Sequence, residues 1–564
     1  MVPPKDKVVV KSSISKHISQ NMSSKRTPEL NVSFDKEEKD LIIEETSIAS
    51  SSNDKNPFVD PLVAAHYREL YEKSQYECRA AFDPEFEWEP QEEKKVIRKL
   101  DYRAALTACL MFVSLQVDRG NLSQAVSDNL LNDLGLTTND FNTGNTIFLV
   151  SFLLAEIPSQ LISKALGPDI FIPIQICSWS IVAMSQFFLS GKASFFVTRS
   201  LIGMLEGGFI ADLVLWLSYF YKGSELPIRL SWFWTTLSLC EIGTSLAAFG
   251  ILRLRGLHGK EGWRWLFLLE GAFTLSIGLW SFYAMVPSAV QTKNWMHPKG
   301  WFTDREAKIV VNRILRDDPS KGDMHNRQPL SLKQILKALG DYDLYPLYAI
   351  GLLAYAPIAT VKAYLTLNLR QLGFSTFDTN LLTIPSSVLH IIFLLIITWV
   401  TELVDDRSYV SLIVPLYEIP LLGILAFWKG SMSNVWGTWV VTTLFLGAPY
   451  IHAIVVAWVS RNSYSIRTRS VASAVYNMCV QIGQIYASNI YRQDDKPLYR
   501  RGNKQLFALA IAMLPLLLLV KGYYTYRNKQ KDKIWNAMTV EEKEDYMKNS
   551  TQEGNRRLDF RFVH

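Results

Sequence analysis

The stretch FFVTRSLIGMLEGGFIADLVLWLSYF, residues 195–220, is apolar over a length that a helix needs to cross a hydrocarbon core, roughly 17 to 25 residues, yet it carries Arg199, Glu206 and Asp212 inside it. A charged side chain at bilayer depth costs at least about 2.5–3.5 kcal/mol, so such groups are expected to face protein or water. Working outward from this run, comparable runs fall near 103–124, 141–163, 169–189, 230–252 and 264–286. Six more lie near 343–367, 379–401, 409–428, 435–458, 471–491 and 504–526. The reading is an all-α membrane protein of twelve transmembrane helices in two six-helix lobes. The 564 residues are 49% hydrophobic, while mean hydropathy is only +0.07, because long polar segments dilute the apolar runs.

The expected organisation is a disordered tail over 1–90, an N-terminal lobe over 91–286, a central loop over 287–342, a C-terminal lobe over 343–527 and a tail over 528–564. The first tail is rich in Ser, Lys, Glu and Asp and lacks a sustained apolar period. Within the central loop, FTDREAKIVVNRIL (302–315) predicts a short amphipathic helix at the membrane face. No cleavable signal peptide is visible, so the first span is expected to act as its own insertion signal.

Charge placement sets the orientation. Lys94, Lys95, Arg98 and Lys99 precede the first span, Lys222 and Arg229 follow the fourth, and Arg461, Arg467 and Arg469 follow the tenth. The central loop adds ten more basic residues between Lys293 and Lys337, and the loop 127–140 has none. The positive-inside rule then makes both tails and the central loop cytoplasmic. Arg253, Arg255 and Lys260, and the basic residues between Arg492 and Lys504, run against that rule.

The net charge of +6 is small for this length, and no long basic block occurs, which argues against nucleic acid as a partner. The five cysteines have no metal-ligand spacing and read as small core residues. No HExxH or GxSxG motif occurs, so enzyme activity, metals and cofactors are not expected.

Faint echoes such as ELPIRLS (225–231) after span four and YSIRTRSVAS (464–473) after span ten suggest that one half duplicates the other. Asp118 and Arg119 sit toward the outer end of span one, and Arg199 and Glu206, seven apart, share one face of span four. Glu206 is the sharpest candidate. The competing reading makes Asp118 and Arg119 solvated interfacial groups and Arg199 a snorkelling anchor. Lys362, in IATVKAYLTLNL (358–369), has no acidic residue within a helical turn, which favours a substrate-facing role. Glu156, Glu241, Glu270, His390, Glu418 and His452 are weaker candidates. Gly203 and Gly207 form a GxxxG step whose default reading is close helix packing.

The chain resembles the anion:cation symporter branch of the major facilitator superfamily, in particular its fungal allantoate-permease-type members. The resemblance rests on QVDRGNLSQA (116–125), TTNDFNTGNTIF (137–148), RSLIGMLEGGFIAD (199–212), GWRWLFLLEG (262–271) and KPLYRRGN (496–503). Where the family has Pro-Gly after EGGF, this chain continues with Ile210 and then Ala211-Asp212. The resemblance implies a secondary active, proton-coupled transporter of small organic anions: a carboxylate, ureide, vitamin or sulfur-containing acid. It implies substrate-binding roles for Arg119 and Arg199, joined by Lys362, and proton coupling through Asp118 and Glu206. A monomer in the plasma membrane is expected, with endoplasmic reticulum or vacuole as alternatives. The rival reading is a nutrient sensor built on a transporter fold.

Overall fold

The computed structural model describes residues 56–59, 61–73, 76–223, 225–293, 298–322, 340–404, 406–431, 433–463, 466–549 and 554–564. The chain divides into two compact units, 1–65 and 66–564. The described part of the first holds a turn of 3-10 helix at Pro57–Val59. All that follows concerns the second.

Its regular elements among the described residues are all helices, joined by turns and loops, and they account for all twelve apolar runs. Spans one to three are Leu106–Ser127, Thr138–Leu166 and Pro168–Ser185. Span four is two helices, Lys192–Glu206 and Phe209–Ser218, followed by span five, Leu226–Ile251, and span six, Gly262–Ala284. In the second lobe, span seven is Tyr345–Leu353 and Ala356–Gln371, span eight Thr376–Val404 and span nine Arg407–Phe427. Span ten is Val435–Leu446 and His452–Asn462, span eleven Ile466–Ala487 and span twelve Arg500–Ala537. Nine helices among the described residues are long and apolar enough to cross a membrane on those grounds alone. Spans two, ten and eleven fall outside that set, and span ten is split into two short helices.

The sequence predicts continuous rods for spans four, seven and ten, whereas each is interrupted. Every third span is therefore broken, and span one enters through a π-helical turn at Asp101–Ala105. The break in span four follows from glycine. Gly207 takes ψ 132° and Gly208 a left-handed φ of 80°, which ends one helix and starts the next. The carbonyl released at Gly207 accepts a hydrogen bond from Gln175 Nε2 of span three at 2.8 Å. The GxxxG expectation holds: a Cβ on Gly203 would lie 2.4 Å from the Phe148 carbonyl oxygen, and one on Gly207 2.8 Å from that of Phe152. Spans two and four thus touch backbone to backbone.

The two lobes meet along the ends of spans one, two, seven, eight and eleven, the face opposite the chain termini. There Asn142 Nδ2 donates to the Tyr491 carbonyl at 2.6 Å, Asn489 Nδ2 to Thr146 Oγ1 at 2.9 Å, and Asn380 Nδ2 to Ser127 Oγ at 3.1 Å. Tyr364 Oη also donates to Asn142 Oδ1.

On the terminal face the predicted amphipathic helix is present as Asp304–Asp317, with Ile309, Val310 and Ile314 buried. It organises the chain ahead of span one, so the expectation of disorder to residue 90 fails for its last part. Asn312 Oδ1 accepts from the Asp83 amide at 2.8 Å, and its Nδ2 donates to the Ala81 carbonyl at 2.9 Å. Fully buried Arg313 lies between Glu93 and Glu225. Residues 1–55 lie outside the described residues. In the other lobe, the chain around Val563 folds back: its carbonyl accepts from Trp458 Nε1 at 2.7 Å and its amide donates to Asn462 Oδ1 at 2.8 Å.

Candidate functional site

Asp118 and Arg119 are neighbours on one helix, so their side chains leave it about 100° apart. Asp118 turns into the first lobe and is buried beside Trp179 and Thr274, within electrostatic reach of Glu206 and Glu270. Neither Glu270 oxygen has a hydrogen-bond partner among the described residues, and the Asp118 oxygens meet the Trp179 indole and the Thr274 hydroxyl only outside strict hydrogen-bond geometry. The solvated interfacial reading of Asp118 is thereby excluded. Arg119 turns toward span four, where its Nε donates to Glu206 Oε2 at 2.7 Å. Glu206 has no exposed surface, while 29% of the Arg119 side chain is open.

Phenylalanines line the approach. The Arg119 guanidinium lies 4.9 Å from the Phe152 ring centre, and that of Arg199 lies 4.4 Å from the Phe148 ring centre. Arg199 is buried, with its Nε unpartnered, so the snorkelling reading fails for it as well. The helix Lys192–Glu206 runs unbroken between the two charges, as their spacing predicts, and ends on Glu206. A carboxylate at a helix C-terminus meets the negative end of the helix dipole, and Arg119 offsets that. Two guanidiniums and the Glu206 carboxyl share this corner, beside the buried Asp118 and Glu270 carboxyls.

The prediction that Lys362 lacks a neutralising partner is corrected: its Nζ bonds to Glu241 Oε1, which comes from span five of the opposite lobe. Ser387 Oγ of span eight donates to the other Glu241 oxygen at 3.1 Å. The Lys362 side chain is 54% exposed although it reaches across the lobe boundary, so it borders open space between them. Nearby, the break in span ten places His452 against Tyr355, Tyr450 and Tyr476 with ring centres 5.5–5.8 Å apart. Tyr355 and Tyr476 hydroxyls are 2.8 Å apart. Sequence reading gave Glu241, Glu270 and His452 little weight. For Glu270 the signal was available, since span six begins at Gly262 and an acid nine residues in stands well inside the rod. Among the described residues no group of three His, Cys, Asp or Glu could hold a metal ion.

A bundle of two lobes with charged side chains where the lobes meet is a transporter architecture, and comparison decides which. The family model of the Major Facilitator Superfamily matches residues 108–488. The chain belongs to this superfamily. It is a multi-pass integral membrane protein of the facilitator type. A protein of Saccharomyces cerevisiae described as an uncharacterized transporter is 44% identical over 543 residues, covering 94% of this chain and all of the relative. Among solved facilitators, a bacterial homologue of the human lysosomal transporter Spinster superposes with a TM-score of 0.53 at 14% identity, covering 78% of this chain and 97% of that one. The xylose transporter XylE of E. coli gives a TM-score of 0.53 at 14% identity over 73% of this chain and 97% of its own. At such identities these structures speak to the fold alone.

Proposed function

We propose that this facilitator is a proton symporter of small organic anions, with Arg119, Arg199 and Lys362 as anion-binding groups and Asp118 and Glu206 as the proton-coupling pair. The observation that carries the reading is the Arg119–Glu206 pair: one partner wholly buried, the other partly open beside a second buried guanidinium. A proton placed on Glu206 removes the charge that occupies Arg119. The freed guanidinium then presents a planar fork suited to a carboxylate or sulfonate, which an ammonium does not reproduce. Proton and anion together return the corner to the net charge it had before either bound, so the loaded carrier changes state without adding an uncompensated buried charge. Lys362, whose ammonium already holds one carboxylate, supplies a cation from the second lobe.

The test is uptake into proteoliposomes with an imposed pH gradient, using labelled ureide, carboxylate and sulfonate probes one at a time. Accumulation that follows the gradient and collapses with a protonophore supports the reading. Uptake of neutral sugars or nucleosides without anion uptake overturns it. Saturable anion binding with no uptake would assign a sensor instead.

A further inference from the structure

Around the inner end of span one several basic residues are matched to carboxylates, while others, Lys94, Lys95 and Arg98 among them, have no ion pair among the described residues. Lys99 bonds to Glu306 at 2.8 Å, Arg229 to Asp101 at 2.9 Å, and Lys293 reaches Asp304 at 3.4 Å. Arg103 and Lys299 have no ion pair among the described residues. Both line one groove of about 420 Å³ between span one, span six and the chain leading into the central-loop helix. Tyr102, Trp280, Tyr283 and Trp301 complete its wall. Tyr102 is 75% exposed, Trp280 and Tyr283 are partly exposed, and the lining comes from spans one and six and the chain after span six, with no residue of the second lobe. The Arg103 guanidinium lies 5.8 Å from the Trp301 ring centre, which orients it along the groove.

This combination has a chemistry of its own. Tyrosine and tryptophan favour the level of lipid headgroups, where an apolar ring body and a polar edge are both satisfied. Two cations without protein counter-ions at that level attract a fixed negative charge, and basic clefts between spans on the cytoplasmic side suit acidic headgroups. We propose that the groove is a binding site for an anionic phospholipid, its phosphate between Arg103 and Lys299 and one acyl chain along Trp280 and Tyr283. The site lies outside the lobe boundary and is independent of what the protein carries.

The test uses the full chain in phosphatidylcholine vesicles containing a minor fraction of photoactivatable phosphatidylserine, with the crosslinked peptides mapped by mass spectrometry. Labelling is expected on peptides spanning Tyr102–Thr107 and Trp280–Trp301. Unlabelled phosphatidylinositol should compete, and neither excess phosphatidylcholine nor inorganic phosphate should. The double variant R103Q/K299Q should lose fivefold or more of the label at this groove while labelling elsewhere and helical circular dichroism stay as in the parent. Equal labelling by a photoactivatable phosphatidylcholine, or no loss in the double variant, overturns the proposal. Competition by inorganic phosphate overturns it in favour of a soluble anion. If the double variant misfolds, the competition in the parent protein alone decides.

Discussion

Arg119 and Glu206, 87 residues apart in the chain, meet at 2.7 Å with the carboxylate sealed from solvent and the guanidinium partly open. Removing one partner of such a buried pair leaves the other uncompensated, at a cost of about 3–5 kcal/mol. Replacing Glu206 by its neutral isostere keeps an acceptor for Arg119 Nε and leaves a guanidinium that is already partly open to solvent, so the cost is smaller. E206Q is therefore expected to fold and to exchange anion across the membrane, but to lose gradient-driven accumulation. R119A should lose both uptake and stability. Parallel counterflow, gradient-driven uptake and thermal unfolding measurements separate the two, and gradient-driven accumulation by E206Q at the parent level would refute the assignment.

Lys362 and Glu241 differ in kind, because more than half of the lysine side chain is open. Exposed pairs contribute about 0.2–1 kcal/mol. A double-mutant cycle over K362M and E241Q should return a coupling in that small range by thermal unfolding. In transport, K362M should raise the anion KM roughly ten- to hundredfold, the loss expected for one charge-assisted hydrogen bond. An unchanged KM would remove Lys362 from the binding set.

Helix contact through glycine gives a stability prediction with an internal control. G203A puts a methyl against the Phe148 carbonyl, and G208A forces a side chain into a left-handed backbone, so each should destabilise by about 1–3 kcal/mol. Gly243 and Gly250 of span five have nothing within 4 Å of a built Cβ. Alanine there should be neutral or mildly stabilising. Thermal unfolding in one detergent compares all four.

On the terminal face, burial pushes the Glu93 carboxyl up, but hydrogen bonds from Lys222 and Trp88 and the charges of Lys222 and Arg313 outweigh it and hold the group at about 2. A depressed folded-state value contributes stability that is complete above the unfolded value of 4.5 and is lost as pH falls from there toward 2. E93Q should abolish that contribution at neutral pH and flatten the acid limb over this window. Limited proteolysis of the segment 76–100 as a function of pH reads it directly, and coincident profiles for parent and variant would contradict it.

The fold was legible because its evidence is local: apolar runs of spanning length, and charges embedded in them. The Arg199–Glu206 relation was legible for the same reason, seven residues on one helix. Local spacing could not show the partner of Lys362, because Glu241 lies 121 residues away in the other lobe, beyond any helical spacing. The order of residues 76–90 was hidden because it comes from Asn312 and Arg313, more than 200 residues downstream. Each of the three span breaks carried a signal: Gly207-Gly208, the Gly447-Ala448-Pro449 stretch, and Pro357, which has no backbone N–H and stands in the first turn of the helix after Ala354-Tyr355.

The bonds that close the face opposite the termini join amides, hydroxyls and a phenol; none of those named carries a charge. Dissolved electrolyte screens ions and leaves neutral dipoles almost untouched. This gate should therefore stay shut from dilute medium to brine, so that changes in salinity alone do not set the carrier's resting posture.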